Sequence, residues 1–525
     1  MDVPATLPAL VARAAERFAG DEALVGDGIR LTFAGLHDAV LDATRALVAC
    51  DVAPGERIAL WAPNATRWVI AALAVHASGA VLVPLNTRFR GDEAAWILAR
   101  SRARILLTVR DFLGGDHVAL LRSSATPLPD LAAITTLDDA PSGDGCTSWR
   151  DLLARGEPVS ALEARTRAAA VRGDDPCDVL FTSGTTGRPK GALLAHAATV
   201  RAFDAWAQVV GLRRGDRYLV VNPFFHAFGL KAGIVAALSV GATIVPHAVF
   251  DVAEVARRVA EERISVLPGP PALYQSLLDD PRCDRAALRT LRLAVTGAAT
   301  VPVELVHRMR DELGFASVVT GYGLTEATGI VTMCRHDDPP DVIARTAGRA
   351  IPGVELRLVD DDGHDVPDGT PGEILVHGFN VMRGYLDDPE ATAAAIDADG
   401  WLHTGDVGVR DAAGNLTITD RKKDLFIVGG FNAYPAEIER VLAEHPAIAE
   451  VAVVGMPDER LGEVGCAFVV PRAGHALVER ELIAWSRARM ANFKVPRRVV
   501  AVDALPRNAS GKVLRVELRA AARRS

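Results

Sequence analysis

The fold and chemistry of this chain depend on residues 178–191, which read Asp178-Val179-Leu180-Phe181-Thr182-Ser183-Gly184-Thr185-Thr186-Gly187-Arg188-Pro189-Lys190-Gly191. The apolar beginning predicts a buried β-strand, and the glycines let the backbone bend so that N–H groups converge on an anion. Hydroxyls add uncharged donors, and Lys190 adds a mobile cation. The spacing is not that of a Walker A loop or a GxGxxG motif. The stretch therefore predicts a phosphate-binding loop, with a plain polar turn as the alternative.

Two units on either side of this loop repeat one rhythm of helix, glycine stop and short apolar strand. The first unit runs from residues 71–73 to 79–84, and the second from 236–238 to 241–246. Apolar strands between helices are covered on both faces, which predicts a mostly parallel α/β sheet. We therefore expect an α/β protein whose large N-terminal body contains two related α/β subdomains.

The pattern changes twice towards the C-terminus. Residues 351–418 contain short alternating segments separated by Asp/Gly turns, which predict antiparallel hairpins in a small sheet or barrel-like part. A fresh pattern of helices and strands follows the charged run 420–424. We therefore predict an N-terminal domain over residues 1–421 and a small C-terminal α+β domain over residues 424–525.

Composition excludes several classes of protein. A chain of 525 residues with 49% apolar and 24% charged residues is too long for one core and is not disordered. Its net charge of −8 argues against a nucleic-acid partner. The six cysteines form no CxxC pair, which argues against a disulfide framework or structural zinc and favours a reducing cytoplasm.

The ends of the chain and its longest apolar stretch give no sign of a membrane anchor. Residues 1–20 have the spacing of an amphipathic helix rather than of a signal peptide. Residues 69–85 include His76 and Pro84, so they fit a buried helix and strand better than a transmembrane segment. The basic residues Arg519, Arg523 and Arg524 are expected to solvate a terminal helix. Whether the chain forms a homodimer stays open.

The segment 181–191 resembles the signature loop of the AMP-forming adenylating superfamily, which includes acyl-CoA synthetases, peptide-synthetase adenylation domains and firefly luciferase. Other motifs of that family follow in the family's order and cover nearly the whole chain. The resemblance implies that ATP and Mg²⁺ convert a small-molecule carboxylic acid to an acyl-AMP, and that coenzyme A then takes the acyl group. In the loop it implies nucleotide contacts from Thr182, Ser183, Gly184, Thr185, Thr186, Gly187 and Lys190.

Residues 321–326 resemble the family's second core motif. An aromatic ring offers a stacking face for adenine, threonine offers a hydroxyl for the α-phosphate, and glutamate is a hard oxygen ligand for Mg²⁺. The resemblance implies a catalytic role and metal ligation at Glu326, metal ligation at Thr182, and a catalytic role for Lys190. Taken alone, the motif could be a strand end with a helix cap. The nucleotide contacts implied here and just upstream are Gly297, Ala298, Gly321, Tyr322, Gly323 and Thr325.

Residues 401–406 match the family's ribose motif, in which the carboxylate of Asp406 accepts hydrogen bonds from both ribose hydroxyls. Arg421 is the implied second ribose contact. The alternative for Asp406 is a surface aspartate in a glycine turn.

Three features of the last hundred residues acquire roles through the resemblance. Lys512, in the run 506–512, is implied as the catalytic residue that contacts both anions when a carboxylate attacks an α-phosphate. Lys423 is the implied hinge about which a mobile C-terminal domain rotates. The coenzyme A channel is implied at Gly429, Gly430 and Phe431, with a tight strand turn as the alternative.

Residues 224–229 occupy the position of the motif that lines the acyl pocket. Amino-acid-activating relatives carry an aspartate where this chain has His226, so an uncharged acyl tail is favoured. The substrate contacts implied are His226, Phe228, Gly229 and Gly323, and a packed aromatic cluster is the alternative. The run 229–233 is similar to actinobacterial ligases for propanoate side chains of steroid fragments, and fatty, aryl and other alicyclic acids stay open.

Two further functions stay open at this stage. A stand-alone ligase could load a carrier protein instead of coenzyme A, although few residues follow Lys512. A non-catalytic nucleotide-binding relative is the second alternative, and the intact Lys190, Glu326, Asp406 and Lys512 argue against it.

Overall fold

The structure is a computed structural model. It describes residues 3–140, 144–182, 189–297, 301, 303–421, 424–428, 431–458, 461–475, 478–487, 489–490, 492–508 and 513–524. Its α-helices are α1 Leu7–Arg17, α2 Phe33–Ala49, α3 Thr66–Ala77, α4 Gly91–Ser101, α5 His117–Arg122, α6 Trp149–Arg155, α7 Ala161–Ala170, α8 His196–Val210, α9 Ala236–Val240, α10 Val252–Glu261, α11 Pro271–Asp279, α12 Val303–Asp311, α13 Pro340–Arg345, α14 Pro389–Ala395, α15 Pro435–Leu442, α16 Glu479–Arg487 and α17 Arg515–Arg524. A π-helix spans Phe228–Val235, and 3₁₀ turns span Arg285–Leu288 and Thr325–Ala327.

The strands alternate with these helices through the first half of the chain. They are β1 Glu22–Gly26, β2 Ile29–Thr32, β3 Arg57–Trp61, β4 Val81–Pro84, β5 Ala103–Thr108, β6 Ala133–Thr136, β7 Thr147–Ser148, β8 Pro176–Thr182, β9 Lys190–Ala195, β10 Arg217–Val220, β11 Thr243–Pro246, β12 Leu293–Gly297, β13 Ser317–Tyr322, β14 Thr332–Met333, β15 Arg349–Ala350, β16 Val354–Val359, β17 Gly372–Gly378, β18 Gly384–Tyr385, β19 Leu402–Arg410, β20 Leu416–Arg421, β21 Phe426–Val428, β22 Phe431–Ala433, β23 Ile448–Asp458, β24 Gly462–Pro471 and β25 Arg498–Ala501.

Two large sheets form the body, as the repeated helix-to-strand rhythm predicts. The first has the order β18-β9-β8-β4-β3-β5-β6-β7, with parallel pairing from β8 to β7. The second runs β2-β1-β11-β10 and continues through bridges at Val266 to β12-β13-β14-β15. The sheets exchange strands, because β1 and β2 belong to the second sheet although they precede every strand of the first. Fully buried aromatic side chains such as Trp68, Phe203 and Tyr218 fill the body's main core.

The small antiparallel sheet predicted for residues 351–418 is confirmed. Its order is β16-β17-β19-β20, and β19 pairs with both β17 and β20. Sequence analysis gave β19 only a ribose motif and missed the strand. This strand carries Asp406 into the body.

The α+β pattern predicted after the charged run is also confirmed. Strands β22-β21-β24-β23 form an antiparallel sheet, and β25 adds to β24 in parallel. Two apolar clusters built only from residues beyond 424 fill this part, one around Phe426 and one around Phe468. The basic end was expected to be solvated. Instead, Arg519 donates to Asp424 at 2.8 Å, because α17 packs against β23.

In the part of the chain that the structure describes, no helix combines the length and the apolar character that crossing a membrane requires. All six cysteines are unpaired.

Candidate active site

The signature loop leaves the body between two paired strands. β8 and β9 are antiparallel neighbours, and Thr182 lies opposite Lys190 in their register. The hydroxyl of Thr182 donates to the carbonyl oxygen of Lys190 at 3.3 Å. Ser183, Gly184, Thr185, Thr186 and Gly187 lie outside the described residues. The predicted strand is therefore confirmed, and the two ends of the loop are held at one point.

Glu326 and Thr182, the two predicted metal ligands, come together although 144 residues separate them in sequence. The hydroxyl of Thr182 lies 3.4 Å from Oε1 of Glu326. Glu326 stands on a short 3₁₀ turn, whose position is fixed by a hydrogen bond from the Met382 amide to the Glu326 carbonyl at 2.8 Å. Two hard oxygen donors of this kind suit Mg²⁺.

Tyr385 completes this corner, and sequence analysis did not single it out. Its hydroxyl donates to Oε1 of Glu326 at 2.9 Å, and the ammonium of Lys190 lies 5.1 Å from the centre of its ring. Burial and the Glu326 carboxylate raise the pKa of Tyr385, so it remains a hydrogen-bond donor at neutral pH. A lone tyrosine at the end of a short edge strand has no periodic context, so no sequence pattern indicates it.

Tyr322 and Asp406 form the second polar contact of the site. The hydroxyl of Tyr322, at the end of β13, donates to Oδ2 of Asp406 in β19 at 2.6 Å. Asp406 is buried. Across the sheet, the backbone of Arg421 pairs with Asp406. The predicted adenine and ribose residues thus lie side by side, and the aspartate is a buried residue rather than the surface turn of the alternative interpretation.

The glycines of the nucleotide motifs are required by close packing of the backbone. Gly297 and Gly321 are paired in the parallel strands β12 and β13. A Cβ at Gly321 would lie 1.9 Å from the sulfur of Met333, and one at Gly323 would lie 2.3 Å from the carbonyl oxygen of Gly329. Any larger residue at these positions would displace the strand that carries Tyr322. Ala298 lies outside the described residues, and Thr325 begins the 3₁₀ turn of Glu326.

The acyl-pocket motif lies at the beginning of the π-helix. His226 reaches solvent but is surrounded by protein, and this crowding lowers its pKa, so the imidazole is neutral at pH 7. Its Nδ1 lies 3.2 Å from the amide nitrogen of Phe228 and accepts its hydrogen bond. A Cβ at Gly229 would lie 2.1 Å from the carbonyl oxygen of Pro223. A neutral imidazole at this position suits an uncharged acyl group.

The C-terminal predictions fall mostly on residues outside the described ranges. Lys512, the hinge residue Lys423, and both Gly429 and Gly430 lie outside them. The backbone of Phe431 pairs with Val428 in the hairpin of β21 and β22, as the tight-turn alternative requires. The roles of these residues therefore stay predictions.

The sequence profile described as AMP-binding enzyme matches residues 11–386, and that of its C-terminal domain matches residues 437–512. The chain belongs to the AMP-binding enzyme family. Within that family the chain is an ATP-dependent ligase, which forms an acyl-AMP and then a thioester.

Particular AMP-binding enzymes resemble the chain over almost its full length. A protein of Rhodococcus jostii (strain RHA1) named 3-[(3aS,4S,7aS)-7a-methyl-1,5-dioxo-octahydro-1H-inden-4-yl]propanoyl:CoA ligase is 51% identical over 519 residues, covering 98% of each chain. A protein of the same name from Mycobacterium tuberculosis (strain ATCC 25618 / H37Rv) is also 51% identical, over 98% of each chain. The solved structure of the anthranilate CoA ligase AuaEII with anthranoyl-AMP has a TM-score of 0.89 at 28% identity, covering 99% of this chain and 98% of that one.

Proposed function

We propose that this enzyme activates a bulky alicyclic propanoic acid of the steroid-fragment type and transfers its acyl group to coenzyme A. The observation that carries the substrate class is the 51% identity, over 98% of each chain, to ligases named for such a propanoate. The neutral His226 at the acyl motif supports an uncharged acyl group rather than an amino acid.

The nucleotide end of the site fits ATP with Mg²⁺. Thr182 and Glu326 present two hard oxygens 3.4 Å apart, and Lys190 lies beside them above the Tyr385 ring. We assign Thr182 and Glu326 to the metal, which would draw charge from the phosphates. Lys190 is assigned to the departing pyrophosphate, where a cation lowers the barrier as negative charge develops.

The base and sugar of the nucleotide are assigned to the second polar contact. The ring of Tyr322 would stack on adenine, and the carboxylate of Asp406 would accept from the ribose hydroxyls. The 2.6 Å hydrogen bond from Tyr322 fixes one carboxylate oxygen and so orients the other. Arg421 is assigned to the ribose, and Gly297, Ala298, Gly321 and Gly323 to the edges of the adenine and acyl sites.

The thioester step is assigned to the C-terminal part. In this assignment the chain divides into residues 1–421 and 424–525 and turns about Lys423, and Lys512 serves the first half-reaction. Coenzyme A would approach past Gly429, Gly430 and Phe431. The separate apolar clusters around Phe426 and Phe468 support a part with its own core.

A comparison of three acids as substrates tests this proposal. The purified enzyme is given ATP, Mg²⁺, coenzyme A and one of three acids: the methyl-dioxo-octahydroindenyl propanoate, octanoate or ferulate. Release of AMP and formation of the thioester are measured together. We expect kcat/KM for the bicyclic acid to exceed that for the others by about 100-fold, the discrimination that a shaped apolar pocket can supply. A higher kcat/KM for either control acid would refute the substrate assignment, and release of AMP without formation of a coenzyme A thioester would refute the acceptor.

A further inference from the structure

A cluster of charged side chains lies completely inside the body, below the acyl motif. The ammonium of Lys231 lies 3.0 Å from Oδ2 of Asp178 and donates to the hydroxyl of Thr199 at 2.7 Å. Nε2 of His76 lies 3.0 Å from the other oxygen of Asp178. The side chains of Lys231 and Asp178 are 0% and 1% exposed, so water contributes nothing to their solvation.

Burying these charges costs free energy, so a gain in stability does not explain the cluster. Removing two charges from water costs several kcal/mol per ion, and an apolar pair of the same volume is often equally stable. Burial alone would raise the pKa of Asp178, but Lys231 and His76 outweigh it and hold the pKa below its usual value. The Asp178 carboxylate is therefore ionised, and its contacts with Lys231 and His76 form a fixed, directional link between the elements that carry them.

Those elements are the two that flank the predicted acyl site. Asp178 lies in β8, four residues before Thr182 and thus about 13 Å from it along the strand. Lys231 lies in the π-helix, two residues after Gly229. The ion pair is therefore a direct link between the strand that leads to the phosphate loop and the helix that carries the acyl motif.

The opposite side of the π-helix is held by glycines. A Cβ at Gly229 would lie 2.1 Å from the carbonyl oxygen of Pro223, and one at Gly233 would lie 2.7 Å from Val220. The helix is therefore pressed against the end of β10 on one side and tied to β8 on the other. The carbonyl of Lys231 accepts from the amide of Ala236, the wide spacing of a π-helix, and such segments are frequent at functional sites.

We propose that Lys231 is a positioning residue for the carboxylic acid, which fixes the π-helix, and with it Phe228 and Gly229, relative to the strand that ends at Thr182. The inference rests on the proposed function, because it takes residues 226–229 as the wall of the acyl site. It assigns acid selectivity to a residue that does not contact the acid. Loss of the ammonium lets the helix shift, so the acid is held poorly, whereas the nucleotide contacts at Tyr322 and Asp406 are unaffected.

The test compares the wild-type enzyme with Lys231→Met, which keeps the length of the side chain and removes its charge. We expect the KM for the preferred acid to rise about 10- to 100-fold, as a small displacement of a substrate wall does, and the preference over octanoate to shrink. The KM for ATP is expected to stay within about 2-fold of wild type, because Tyr322 and Asp406 lie on other strands than the π-helix and β8. Both constants come from the same AMP-release measurement.

A double variant separates positioning from stability. Lys231→Met leaves Asp178 as a buried, unpaired charge, whereas Lys231→Met with Asp178→Asn removes both charges and is expected to recover most of the lost Tm. The raised acid KM is expected to persist in the double variant. If the single variant does not fold, the double variant still decides the question.

The matched control is Arg292→Met, which removes the cation from another buried aspartate. Arg292 donates to Asp216 at 2.8 Å at the beginning of β10, the end remote from the acyl motif. We expect its Tm to fall while its acid KM stays at the wild-type value. An unchanged acid KM in both Lys231 variants, or an equal rise in the Arg292 variant, would overturn the inference. A wild-type enzyme that activates none of the acids would instead refute the proposed function.

Discussion

Two ion-pair networks in this enzyme differ sharply in their contact with water. In the body, the side chains of His76, Asp178 and Lys231 are at most 3% exposed. Beyond residue 424, Arg519 pairs with Asp424 with exposures of 29% and 18%. The first network joins β8 to the π-helix, the two elements that flank the proposed acyl site. The second ties the residue just after the predicted hinge to the helix that follows Lys512.

This difference agrees with the proposed rotation of the C-terminal part relative to the body. A dry ion pair is directional and hard to rearrange, which suits a substrate wall. A pair that water partly reaches is rearranged at lower cost than a dry one, which suits a segment that we propose to change its surroundings. Arg515 shows the intermediate case, since it binds Glu439 at 2.7 Å and the Val453 carbonyl at 2.6 Å within the C-terminal part.

The largest expected effect is at Lys512, in the C-terminal part. Lys512→Ala should lower the rate of acyl-AMP formation by about 1000-fold, because it removes the charge that brings two anions together. A supplied acyl-AMP should still react with coenzyme A at close to the wild-type rate. Separate assays of the two half-reactions measure this, and equal losses in both would remove Lys512 from its assigned role.

A change at the predicted hinge residue, Lys423, is expected to affect the other half-reaction. Lys423→Pro should spare acyl-AMP formation and slow thioester formation by about 100-fold or more, because proline fixes φ at the proposed pivot and product steps gated by domain motion then fail. Lys423→Ala serves as the control and should retain both half-reactions. Survival of thioester formation in the proline variant would place the hinge elsewhere.

Within the body, a change at a proposed metal ligand is expected to slow acyl-AMP formation. Glu326→Gln removes one hard anionic ligand and should lower acyl-AMP formation by about 100-fold, with partial recovery at high Mg²⁺. Tyr385→Phe, which removes only the hydrogen bond to that carboxylate, should cost about 10-fold or less. An Mg²⁺-independent defect in the Glu326 variant would contradict the assignment.

Stability measurements compare the two networks directly. Lys231→Met should destabilise the enzyme by about 3–5 kcal/mol, because it strands a buried carboxylate. Asp424→Asn, at the partly exposed pair, should cost less, about 1 kcal/mol. Thermal unfolding of the two variants and of wild type measures this difference. Equal losses of stability in the two variants would contradict the distinction drawn between the buried and the partly exposed ion pair.

The pH dependence of stability offers the smallest test. Burial and the nearby His76 lower the pKa of His196 from its ordinary value of about 6.5 to about 3. As pH falls, the unfolded chain therefore binds a proton at His196 before the folded protein does. The stability that neutral His196 contributes is complete above pH 6.5 and is lost as pH falls from 6.5 to 3. Between pH 7 and 5 the loss should be about 2 kcal/mol, measured by unfolding, and His196→Gln should flatten that slope.

Periodicity was enough to predict most of the fold. The repeated unit ending at Pro84 and Pro246 predicts parallel strands because buried strands carry apolar residues on both faces. Strand β19 was missed because a motif of polar residues, His403 to Asp406, interrupts its alternation. The exchange of β1 and β2 into the second sheet could not be predicted either, since strand order depends on long-range packing.

The candidate site also contains residues that the sequence predicts and residues that only the structure reveals. Motif order brought Thr182, Glu326, Tyr322 and Asp406 into the prediction, and the structure places these residues in two contacting pairs. Tyr385 and Lys231 could not be found, because a single tyrosine or a lysine in an apolar run has no local pattern that reveals its partner. Their roles follow from distances between segments that are far apart in the sequence.

The measurement that tests the account most directly is the trapping of the first product. The enzyme is mixed with ATP labelled on the α-phosphate, Mg²⁺ and the bicyclic propanoate, without coenzyme A, and the protein-bound label is analysed. We predict an acyl-AMP that stays bound, and that is consumed with release of AMP and formation of the thioester when coenzyme A is added. Accumulation of ADP or an acyl phosphate, with no label on the acid, would contradict the account.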